Sequence, residues 1–97
     1  MSDKIGYHAT RDFEGIQNER VVKPVHMPCV YLFTNADDAL EYAQEFGYPA
    51  VVTVIYASRD VENSWRPAYA KRGRVVKLGA GRTAQLGGIG IQVNLEP

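Results

Sequence analysis

Apolar positions along the chain fall into a few runs whose spacing predicts their structure. Val30-Tyr31-Leu32-Phe33-Thr34 joins five residue types suited to a pleated sheet, and Pro28 just before them cannot serve a central ladder, so the pattern predicts a strand from near Cys29. It runs straight into a helix over Ala36 to Phe46. Asn35 is placed to accept from the amide of Asp38, and Asp37 and Asp38 put negative charge in the first turn, where the helix dipole favours it. Ala36, Ala39, Leu40, Ala43 and Phe46 then recur at three- and four-residue spacing as one apolar stripe, which leaves Asp38, Glu41, Gln44 and Glu45 for solvent. Gly47 supplies a left-handed stop and Pro49 prevents continuation. Next, Ala50 to Ala57 is a near-continuous β-branched run, the pattern of a central strand covered on both faces.

The remaining segments are weaker. Ile5 to Thr10 reads as a short first strand, with Thr10 able to cap the segment after it. Phe13 and Ile16 give Arg11 to Asn18 helical spacing, but Gly15 loosens it to a turn or two. Arg20 to Val25 carries Lys23-Pro24 and suits an edge strand at best. Ser58 to Arg72 is a polar, irregular loop around Trp65-Arg66-Pro67-Ala68-Tyr69, of a length more often functional than idle. Arg74 to Leu78 predicts a short strand and Gly79 to Gly88 a flexible loop. In the last strand, Ile89 to Leu95, the residues Ile89, Ile91, Val93 and Leu95 share one face. The sum is an α+β domain: a small split β-sheet of about five strands, one firm helix over Ala36 to Phe46 and one short helix.

At 97 residues the chain has room for one core and one domain. Eleven basic residues balance eleven acidic ones, which argues against a partner held by phosphate neutralisation, nucleic acid included. Cys29 is the only cysteine, so no intrachain disulfide forms, and with His8 and His26 it makes no convincing zinc cluster. No run approaches the roughly 20 apolar residues of a membrane span, and Met1 to Lys4 lacks the apolar core of a signal peptide. The expectation is a cytoplasmic protein without membrane contact. An exposed final strand would offer its edge to a second copy as a homodimer.

Several groups are candidates for chemistry. Gly79-Ala80-Gly81-Arg82-Thr83-Ala84 formally matches a dinucleotide-binding turn, but the mechanism needs a helix to start there and Gly87-Gly88-Ile89-Gly90 forbids one. Arg59, Arg66, Lys71, Arg72, Arg74 and Arg82 concentrate positive charge in the second half, opposite the acidic central helix; this reads either as an anion site or as solvated loop charge. Trp65 and Tyr69, interleaved with Arg66, either stack on a base or cover the edge of the core.

Tyr7-His8-Ala9-Thr10, a short segment with Ile16, Val22-Lys23-Pro24, then Val30-Tyr31-Leu32-Phe33-Thr34 followed by Ala39-Leu40-Glu41-Tyr42-Ala43 together carry a resemblance. Over about residues 5 to 57 the chain resembles the opening half of the small ADP-ribosyltransferase-like domains, the superfamily that includes the RNA 2'-phosphotransferases and several phage and toxin effectors. The resemblance implies a split-sheet clamp for NAD or a related ADP-ribosyl compound. It places His8, beside Tyr7, on the adenine-side ribose with Thr10 in support, and Tyr31 or Phe33 on the nicotinamide ring. Those roles are chemically sound, since an imidazole can hydrogen-bond a ribose hydroxyl and an aromatic face can stack on a flat heterocycle. For the polar residue that steadies a ribosyl cation, this chain offers Gln85, Gln92 or Glu96, of which Gln85 and Glu96 are the catalytic candidates.

The leading expectation is therefore an ADP-ribosyltransferase-like domain binding NAD or an ADP-ribose-type nucleotide, with ADP-ribose transfer to a protein acceptor as its activity if it is an enzyme. The alternative is a non-catalytic binding module, a phage-type inhibitor or stress protein, in which Trp65 and Arg66 sequester a nucleotide signal or cap a protein partner. A purely structural role for Tyr31 and Phe33, packed against Leu40, is a third.

Overall fold

The structure, a computed structural model, describes residues 3–25, 27–62, 70–88 and 90–95. Its elements are β1 (Asp3–Thr10), α1 (Phe13–Glu19), β2 (Val21–Val22), β3 (Tyr31–Phe33), α2 (Ala36–Phe46), β4 (Ala50–Ala57), a 3-10 turn (Ser58–Asp60), β5 (Val75–Lys77), β6 (Ala84–Leu86) and β7 (Ile91–Gln92). The α+β class is as expected. The strands form one antiparallel sheet in the order β2-β6-β4-β1-β3-β5, with β7 also on β4. Along one edge β4 is shared, its start pairing with β7 and its later part with β6, so the sheet divides there. No helix among the described residues is long and apolar enough to cross a membrane.

The two best-patterned elements form as the sequence predicts. Asn35 Oδ1 accepts from the amides of Asp37 at 2.9 Å and Asp38 at 3.2 Å, and Gly47 ends α2 with φ at 77°. β4 is central. Val51 packs towards α2, Val52 and Val54 pack towards α1, and all three are fully buried. Only Ile55, at 36% exposure, departs from the double cover expected of this strand.

Residues that pair across antiparallel strands share a face of the sheet. On one face Ala9 and Val51 meet Ala39 and Ala43 of α2, with Tyr7, Phe33, Leu40 and Tyr48 around them. On the other, Leu32, Val52, Val54 and Tyr56 meet Ile16 of α1, Val22 of β2 and Ala84 of β6. Each helix thus closes one side.

Four expectations are corrected. Gly15 does not loosen α1: the Asp12 carboxylate caps the helix by accepting from the Gly15 amide at 3.1 Å, and a Cβ at position 15 would run into that carboxylate. Thr10 is not the cap; its Oγ1 accepts from the Asp12 amide at 2.9 Å and braces the cap from behind. The segment from Gly79 to Gly88 is not a free loop, because it contains β6 and its turn is tied by Gly79 and Gly81 amides to the carbonyls of Asp60 and Pro28. The last strand is only two residues long. Val93 is buried while Ile91 and Leu95 are about 40% exposed, so the apolar alternation does not continue as one face. The edge offered to a second copy is correspondingly short.

Candidate functional site

His8 sits in the middle of β1, opposite Val52 of β4, on the side of the sheet that α1 covers. Its Nδ1 lies 2.9 Å from the carbonyl oxygen of Tyr31 on the neighbouring strand. A carbonyl only accepts, so Nδ1 carries the proton and Nε2 is left as an acceptor. Burial pushes the His8 pKa below the ordinary histidine value, outweighing the Tyr31 carbonyl, which acts the other way. The imidazole is therefore neutral at pH 7.

Thr10 follows two residues on, so it lies on the same side, and both residues line one cleft. Asp12, Gly15, Ile16 and Glu19 of the α1 segment form one wall, and Val21, Val22, Lys23 and Val25 form the other. The space is about 360 Å³ including its open mouth. That is near the lower end for small-molecule sites, enough for a nucleoside-sized fragment with the rest of a dinucleotide outside. At the rim Lys23 Nζ holds Glu19 Oε2 at 2.8 Å, an i,i+4 pair with both side chains about half exposed.

The structure separates the other expected site residues from this cleft. Tyr7 and Phe33 pair with each other across β1 and β3 and pack on the α2 side, and Tyr31 alternates onto that same side. Only the Tyr31 backbone reaches His8. Gln85 pairs with Ile55 and Val21, which places it on the α2 side too, exposed. Trp65, Arg66 and Glu96 lie outside the described residues, as do Tyr69 and His26. Two of the expected ligand-binding residues are brought together, His8 and Thr10.

The acidic face of α2 also differs from expectation. Asp38 is not turned to solvent but is 5% exposed. Its oxygens accept from the amides of Arg72 at 3.1 Å and Gly73 at 2.8 Å, and from the Arg72 guanidinium at 3.1 Å. Burial pushes this carboxyl up, but those amides and the guanidinium outweigh it and hold it below the ordinary carboxylate range. Arg72 also meets Glu41 at 2.6 Å, Lys71 meets Glu41 at 3.3 Å, and Arg82 meets Asp60 at 3.8 Å. The positive charge of the second half thus neutralises acids of the chain itself. The Gly79 segment makes no phosphate cradle, because it leads into β6 and its amides are used internally.

Beside α2 a second surface stands out. Tyr42 lies 5.2 Å from Phe33, 4.7 Å from Phe46 and 5.6 Å from Tyr48, ring centre to ring centre. Arg11 lies 4.0 Å over the Tyr48 ring and donates to the Phe46 carbonyl. Among the described residues no three His, Cys, Asp or Glu side chains converge as metal ligands.

Sequence reasoning missed Asp12, Glu19 and Lys23 as cleft residues. The signals were there: Asp12 stands three residues before Gly15, a capping distance, and Glu19 and Lys23 are spaced to pair. What the sequence lacked was the side of the sheet on which α1 docks. No family model, no curated protein and no solved structure matches the chain.

Proposed function

We propose that the chain is an ADP-ribosyltransferase-like binding domain that takes NAD or an ADP-ribose-type nucleotide, with one nucleoside portion seated in the His8 cleft. The observation that carries this reading is the convergence of a neutral His8 and Thr10 in one cleft of nucleoside size. Nε2 accepts from a ribose hydroxyl. The Thr10 oxygen already accepts from the Asp12 amide, so its O–H is the donor. ADP-ribose transfer would need a further polar group on the His8 side, and Gln85 lies across the sheet; the reading is therefore of binding.

A second reading, a protein-interaction module, is favoured by the aromatic surface of α2, where Phe46 is 52% and Tyr42 37% exposed. A thermal-shift titration with NAD, ADP-ribose and nicotinamide, on the protein and on His8→Ala, separates the two. At about 100 times Kd a ligand stabilises by about 2.7 kcal/mol, which for a chain of this size raises Tm by about 10 °C or more. We expect that rise with NAD or ADP-ribose and its loss in His8→Ala. No rise with any of the three would sink the nucleotide reading and favour the module.

A further inference from the structure

The charges around the His8 cleft distinguish the parts of a dinucleotide. Its described lining holds three charged side chains, Asp12, Glu19 and Lys23, of which two are carboxylates. Lys23, the single cation among them, is already held by Glu19. Asp12 is fixed in place, its carboxylate on the Gly15 amide and its own amide on Thr10. A pyrophosphate entering here would have to displace Glu19 from Lys23 and approach the Asp12 carboxylate. Both steps are unfavourable for an anion.

The hydrogen-bonding capacity points the same way. His8 Nε2 and both carboxylates only accept, so the lining calls for a fragment that donates, and its charge balance favours a cation. Within NAD one portion meets both demands. The nicotinamide riboside half has donating ribose hydroxyls, a donating carboxamide and a positively charged pyridinium ring, whereas the adenosine half is uncharged and the pyrophosphate is anionic.

Resting on the nucleotide reading above, we infer that the cleft takes the nicotinamide riboside end of a pyridine nucleotide in its oxidised, cationic form and leaves the pyrophosphate outside the mouth. This is the opposite half of the dinucleotide from the one the resemblance implies for His8. The charge recognition falls chiefly to Asp12, since Glu19 is shared with Lys23.

The test is calorimetric titration of the protein with nicotinamide riboside, with its uncharged dihydro form and with ADP-ribose, repeated on Asp12→Asn. Asparagine caps helices as well as aspartate does, so that variant removes the charge and keeps α1. The expected result is about five-fold tighter binding of the oxidised riboside than of the reduced one, the upper ordinary size of one exposed charge contact, and near-equal binding of the two by Asp12→Asn. Equal affinities in the unsubstituted protein, with ADP-ribose still bound through His8, would overturn charge selection and leave the nucleotide reading standing. Binding of none of the three would overturn both.

Discussion

His8 carries two constraints at once, and they fix its chemistry. The Tyr31 carbonyl decides which nitrogen holds the proton, and burial decides that there is only one. This has a consequence for stability. Because the folded-state pKa lies below the ordinary value of 6.5, the unfolded chain binds the extra proton first as pH falls. The stabilisation from a neutral His8 is complete above pH 6.5 and is lost progressively below it, until the folded value is reached. Urea unfolding between pH 8 and 5 is expected to show a steeper fall in stability for the protein than for His8→Gln. Parallel curves would mean that His8 titrates normally in the fold.

At the scale of elements, the most consequential contact is the one that fastens α2 to the segment at 70–74. Asp38, in the first turn of α2, gathers the Arg72 and Gly73 amides, while Thr34 exchanges two hydrogen bonds with the Arg74 backbone. Together they seat the approach to β5 on the N-terminal end of the helix. Asp38→Asn keeps one carbonyl acceptor but loses the charge and the second oxygen. We expect the Arg72 and Gly73 amides to exchange hydrogen faster in this variant, with β4 amides unchanged; unaltered protection at 72 and 73 would show that Thr34 alone holds the segment.

Legibility in the sequence also differed by element. α2 and β4 were readable because their signals are local: a cap, a stripe, a stop and a run of β-branched residues. β6 and β7 were not, because three- and two-residue strands owe their existence to the exposed edge of β4 and carry little pattern of their own. The buried Asp38 was missed for a related reason. An acid in the first turn of a helix satisfies the dipole argument wherever it points, and only the fold brings position 72 to it.

Across the whole molecule the division of labour comes from the sheet. One face is closed by α2 and holds Tyr7 and Phe33 as packing residues, and the other is closed by α1, which leaves the His8 cleft beside it. The candidate site was thus half legible. The His8 and Thr10 spacing placed both on one side of a strand, but the period of two that unites them also sends Tyr7, Tyr31 and Phe33 to the opposite face, where no ligand can touch all five. The balance of opposite charge between the two halves is used up in pairs such as Arg72 with Asp38 and Glu41. No broad anionic or cationic field then steers a partner, and recognition falls to the cleft.

The measurement that tests this account most directly is amide chemical-shift mapping of the full chain titrated with NAD. Binding in the His8 cleft predicts saturable shifts at His8, Thr10, Asp12, Ile16 and Val22, with Tyr42, Phe46 and Tyr48 unmoved. Shifts confined to the α2 aromatics, or none at all, would contradict it.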